Sequence, residues 1–150
     1  MSTKNIGASI ALGALSGVRS LTPSAVVARE LGSRRRLFRA RRKGGWLRRA
    51  LEAGAFAEML VDQAPSAPDR TSGSGLAGRV VFGAILGAVV VEESRIVGAL
   101  AGGASAWVAT WASFGLRSLA SRRGKAMGVI GGMVEDAFVV TASRRLARAL

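Results

Sequence analysis

Twenty-one consecutive uncharged residues, Ile96 to Leu116, stand between Arg95 and Arg117, and they constrain this chain more than any other feature. As a helix rising about 1.5 Å per residue, such a run is about 30 Å long, the thickness of a bilayer's hydrocarbon core. Three further stretches share its character. Residues 5–28 carry Arg19 as their one charge, residues 75–91 carry Arg79, and residues 126–143 carry Glu135 and Asp136. A shorter segment, 50–64, is moderately apolar and closes at Pro65, so it either spans with help from neighbours or is re-entrant. The expected fold is all-α: a single membrane domain over residues 1–150, an integral bundle of about five helices, four to five of them spanning.

Charge distribution supports the same class. The formal charge is +13, yet apolar residues make up 49% of the chain. The basic residues are segregated rather than spread along polar helix faces: ten of the 22 lie in 29–49 beside the single acid Glu30. Segregation of this kind reads as topology and argues against a nucleic-acid partner. The 29–49 loop is expected on the cytoplasmic side of a bacterial inner membrane, with the bilayer and anionic headgroups as its partners. If five segments span, the N-terminus lies outside and the C-terminus inside, which strands Arg117, Arg122, Arg123 and Lys125 outside. If 50–64 is re-entrant, that turn moves inside and the tail outside. A cleaved signal peptide, with Lys4 as its basic end and Val26-Val27-Ala28 before the cut, is the rival reading of the first 28 residues; Arg19 in the apolar region disfavours it.

The chain has no Cys, His or Tyr. That removes disulfides, thiolate nucleophiles, imidazole bases and the usual zinc ligands. No Gly-x-Ser-x-Gly elbow is present either, so an enzyme is not expected, and neither a cofactor nor a metal.

Glycines four residues apart recur at Gly13/Gly17, Gly83/Gly87, Gly98/Gly102 and Gly128/Gly132. Such pairs let helix backbones approach closely where lipid removes the hydrophobic drive for association. They predict tight packing and say nothing about chemistry.

The charges inside apolar stretches form the candidate polar site: Arg19, Pro23, Glu58, Asp62, Arg79, Glu135 and Asp136. An arginine or carboxylate at a helix centre costs roughly 2.5–3.5 kcal/mol even on translocon scales. Pro23 removes the N–H that would bond the carbonyl of residue 19, so helix 1 should kink or break there. Ser20, Thr22 and Ser24 are available to satisfy the freed backbone groups. Arg19 is expected to be buried against a carboxylate from Glu58, Asp62, Glu135 or Asp136. Glu58 and Asp62, at i and i+4, share a helix face. The turn at 65–74, with Pro65 and Pro68 stopping the helix and Gly73 and Gly75 permitting reversal, should fold that face toward Arg79. Alternatively, these charges are static pairs that only fix helix register.

"SGVRSL" at 16–21 and "FGLRSL" at 114–119 match at four of the five positions from the glycine on, and each precedes an acidic helix. If five segments span, the two motif helices point in opposite directions, as in an inverted repeat.

Gly17-x-Arg-Ser-Leu-x-Pro23, the acidic segment at Glu58 and Asp62, the Arg-Thr linker running into Leu-Ala-Gly-Arg at 76–79, and Glu135 in the last helix together resemble the DUF4126 family of small bacterial integral membrane proteins. The resemblance covers nearly the whole chain; the Arg-rich 33–43 stretch departs from it. It implies a multi-helix inner-membrane protein of unassigned activity, with no catalytic residues to carry over. Two functions suit these features. One is a transporter- or channel-like protein for an ion or small solute, working as a homo-oligomer because five short helices enclose little volume. The other is a non-transporting membrane scaffold whose buried ion pairs are structural.

Overall fold

The computed structural model describes residues 3–31, 43–63, 73–122 and 125–150. Among these the chain forms six helices and no strand: α1 (Thr3–Val18), α2 (Thr22–Leu31), α3 (Lys43–Gln63), α4 (Gly73–Val90), α5 (Arg95–Arg122) and α6 (Lys125–Ala149). The all-α expectation holds; the helix count changes, because the stretch expected as helix 1 is two helices. α5 continues to Arg122, through residues expected as a basic turn, and α3 begins at Lys43, inside the expected 29–49 loop. Gly73 and Gly75, expected to permit a reversal, belong to the start of α4.

α1, α4 and α5 form the tightest part of the molecule, and glycine is the reason. A methyl group on Gly13 would overlap the Gly102 carbonyl oxygen, one on Gly17 the Ala106 carbonyl, and one on Gly87 the Gly98 carbonyl. Gly83 and Gly102 face each other in the same way. Six of the eight predicted packing glycines thus lie where two backbones touch. Gly132 packs against the Arg117 side chain instead. The surroundings of Gly128 lie outside the described residues.

These contacts also fix direction. Ser9 meets Gly98, Gly13 meets Gly102 and Gly17 meets Ala106, a constant offset of 89 residues, so α1 and α5 run parallel. Gly83 meets Gly102 and Gly87 meets Gly98, so α4 is antiparallel to both. Antiparallel packing is what the short α4–α5 connection demands. Ser94 ends that connection as the N-cap of α5, its carbonyl accepting the Gly98 N–H at 3.0 Å.

α2 does not continue α1. Arg19 pairs with Asp136 and Glu30 with Arg148, so α2 runs parallel to α6. The cluster formed by Leu12, Leu15, Val27, Leu86, Val90, Val139 and Ala147 gathers Ala8 and Leu150 as well, placing the start of α1, the end of α4 and the end of α6 together. α1 therefore climbs from that end to Arg19, and α2 returns toward it. Residues 5–28 are a helical hairpin with its tip at Arg19–Leu21, not one crossing kinked at Pro23. Pro23 is the second residue of α2, where its missing N–H removes a donor that has no intrahelical acceptor anyway.

Two expectations fall with this reversal. The N-terminal helix and the chain leaving Leu31 lie at the same end of the bundle, not at opposite ends. The motif helices α1 and α5 are parallel, so the repeat is not inverted. Its copies also differ locally: the chain leaves the helix after Val18 but stays helical through 117–119. Ser121 stands where the first copy has Pro23.

Candidate functional site

The hairpin tip sits level with the middle of α5, where Thr110 Oγ1 donates to the Gly17 carbonyl at 3.0 Å. Arg19, the first residue past α1, keeps a helical bond, its N–H reaching the Leu15 carbonyl at 2.9 Å. Its side chain is 1% exposed. Arg19 Nε–H donates to Asp136 Oδ1 at 2.6 Å, and a terminal guanidinium nitrogen lies against the same oxygen. A guanidinium stays charged at any accessible pH, so the buried carboxylate opposite it is its counter-ion. α6 positions Asp136 by presenting Asp136 and Val139 on one inward face.

Leaving the helix frees the N–H groups of Ser20 and Leu21. Glu58, from α3, takes both: its Oε1 accepts from Ser20 N–H at 2.8 Å and its Oε2 from Leu21 N–H at 3.0 Å. Leu21 is the N-cap of α2, its carbonyl accepting the Ala25 N–H. Glu58 therefore places negative charge at the positive end of the α2 dipole. Arg79, buried in α4, brings a terminal nitrogen to 3.9 Å from Glu58 Oε1 and donates to the Gly75 carbonyl at 3.4 Å. Next to Asp136 on α6, Glu135 is approached by Arg117 at 3.9 Å, both side chains partly buried.

Of the residues the sequence singled out, Arg19 meets Asp136, and Glu58 meets Arg79 across the break. Glu135, one position round α6 from Asp136, lies 3.9 Å from Arg117. The side chain of Asp62 and residues 65–72 of the expected 65–74 turn lie outside the described residues. The hydroxyls of Thr22 and Ser24, expected to satisfy freed backbone groups, are buried without a hydrogen-bond partner among the described residues. Glu58 does that work instead, and Ser16 donates to the Ser20 carbonyl at 3.3 Å.

Sequence reasoning missed Arg117 as a partner, having read it as part of a basic turn. It also missed Ser9 and Thr110, whose hydroxyls bond the Gly98 and Gly17 carbonyls across helix contacts. Their place beside the glycine columns was the available signal.

Chemically, the site is a pair of linked ionic centres around a break in regular backbone. One is a buried ion pair, Arg19 with Asp136. The other is a carboxylate held by two backbone N–H groups beside a guanidinium. No group of three His, Cys, Asp or Glu among the described residues is arranged to hold a metal ion. The fold and site define an all-helical bundle with a charged interior. No family model, curated protein or solved structure matches the chain.

Proposed function

We propose that this is a multi-pass membrane protein of the bacterial inner membrane, a transporter- or channel-like protein for an ion or small solute that uses the charged centre at the helix break. The observation that carries the reading is an inversion of ordinary burial. Arg19, Asp136 and Arg79 are buried, while Ile85, Leu100, Trp107, Val108, Trp111 and Phe138 are exposed on α4, α5 and α6. An apolar exterior around ionic groups and irregular backbone is the arrangement a bilayer favours. α4 and α5 are each long and apolar enough to cross a membrane.

In this reading both termini face the cytoplasm. The end where α1 starts and α2 and α6 finish carries Lys4, Arg29, Arg144, Arg145 and Arg148, and the basic run after Leu31 leaves from it. That run then meets anionic headgroups. Membership of the DUF4126 family and a homo-oligomeric working form belong to the same proposal.

The test is reconstitution into liposomes and measurement of ion and small-solute flux. Parent protein should give flux that an Arg19→Met/Asp136→Leu double variant, still folded, lacks. A scaffold role is the second reading, favoured by the backbone-to-backbone locking of α1, α4 and α5. It expects no flux from either protein and retained assembly of the double variant.

A further inference from the structure

We infer that the C-terminal half of α6 is a docking face for an anionic phospholipid, with Arg144 and Arg145 holding the headgroup and Phe138 and Val134 lying along an acyl chain. The inference rests on the membrane reading above and adds to it a partner and a place.

The face follows from helix geometry. Asp136, Val139, Ser143 and Ala147 are buried and mark the side of α6 turned to the bundle. At about 100° per residue, Val134, Phe138 and Arg145 project within about 40° of one another on the opposite side. All three are exposed, Val134 and Phe138 at 63% each. Thr141, between Phe138 and Arg145, turns its hydroxyl back to the Ala137 carbonyl at 2.7 Å.

The length of this stripe matches one leaflet. From Arg145 back to Val134 the helix rises about 16 Å, against about 15 Å for half of a bilayer's hydrocarbon core. The stripe is therefore basic where a headgroup lies and apolar over the depth of one acyl chain.

The two arginines supply the charge argument. The macrodipole draws cations to the last turn of a helix, and Arg148 fills that position. Arg148 also lies 3.5 Å from Glu30. Arg144 and Arg145 stand a turn further in, adjacent and exposed, and neither has a hydrogen bond or ion pair among the described residues. α6 offers them no acid after Asp136, and Glu92 and Glu93, at the same end of the bundle, belong to the α4–α5 connection. Two neighbouring guanidinium groups repel each other, and an anion shared between them relieves that; phosphate suits the planar fork of arginine. A free anion leaves Phe138 and Val134 uncovered, and a zwitterionic lipid brings its own cation to the arginines. An anionic phospholipid answers both halves of the face.

The experiment titrates the purified full-length protein, in an uncharged detergent, with phosphatidylglycerol and with phosphatidylcholine of the same acyl chains, following the melting temperature. Phosphatidylglycerol should give a saturable rise, with the ratio of folded to unfolded protein up about elevenfold at ten times the dissociation constant. Phosphatidylcholine should bind at least about tenfold more weakly. Arg144→Gln/Arg145→Gln should melt like the parent without lipid and bind phosphatidylglycerol about thirtyfold more weakly, the worth of two basic side chains beside an anionic surface. Arg145→Gln alone, expected to lose about fivefold, replaces the double variant if that does not fold. Phe138→Ala should lose about tenfold through the acyl contact. Glycerol phosphate, the headgroup without chains, should give no rise. Arg34→Gln/Arg35→Gln/Arg36→Gln, in the basic run, should bind phosphatidylglycerol more tightly than the α6 double variant.

An equal response to the two lipids, an unchanged affinity in the α6 arginine variants, an equal rise with glycerol phosphate, or a loss confined to the 34–36 variant overturns the inference. Recovery of the protein from cells in the soluble fraction removes the membrane reading. A membrane-extracted protein indifferent to phosphatidylglycerol removes the inference alone.

Discussion

Arg19 and Asp136 are 117 residues apart in sequence, and Arg19 Nε donates to Asp136 Oδ1 at 2.6 Å at the tip of the α1–α2 hairpin. This one bond joins the first reversal of the chain to its last helix. It closes the bundle around a buried charge pair, so removing either partner takes from the other the counter-ion packed against it.

Arg19→Ala or Asp136→Asn alone should therefore destabilise by about 3–5 kcal/mol, the usual cost of breaking a buried pair from one side. The Arg19→Met/Asp136→Leu double variant should lose much less than the sum, since no charge is left unpaired. Unfolding the four proteins in detergent with denaturant measures both quantities. Additive losses would show that the two side chains do not act as a pair.

Pro23 and Glu58 both attend the helix break, and they should contribute unequally. Pro23→Ala restores an N–H in the first turn of α2, where no intrahelical acceptor exists for it, so the change should stay within about 1 kcal/mol. Glu58→Ala deprives two N–H groups of their acceptors and should cost about 2–4 kcal/mol, at about 1–3 kcal/mol for each stranded group. Equal effects in the same unfolding assay would mean that proline, not the carboxylate, sets the break.

Glycine positions give a sharp internal contrast. Gly102→Leu drives a side chain into the Gly83 carbonyl and should prevent the α1–α4–α5 contact from forming, read as loss of a monodisperse folded peak on size exclusion. Gly78→Ala lies on the same helix as Gly83, but its added methyl would meet nothing within 4 Å, so the change should be neutral or stabilise by about 1 kcal/mol.

The hairpin reading fixes sidedness. The chain has no cysteine, so single cysteines report cleanly. Lys4→Cys, Ser33→Cys and Arg148→Cys should all resist an impermeant thiol reagent in intact cells, and Arg122→Cys, at the other end of α5, should react. Labelling of Lys4→Cys but not Arg148→Cys would restore a single crossing over residues 5–28.

Local properties of the chain determined the helices themselves and their packing faces. Apolar runs without strand alternation read as helix, and glycines at i and i+4 fall on one face whatever that face meets. A lone arginine before a proline also announces a break, because proline's missing donor is a covalent fact. What lay beyond local reading was direction. Whether the chain passes through Arg19–Leu21 or turns back there depends on which groups take the freed N–H donors, and the acceptor is Glu58, 38 residues from Ser20. The same holds for the choice of Asp136 over Glu135 as the partner of Arg19. Neighbouring residues on a helix point about 100° apart, so only the placement of α6 against α2 decides which of two adjacent acids meets the guanidinium. Composition dictated that a buried cation needs an anion; tertiary packing selected it.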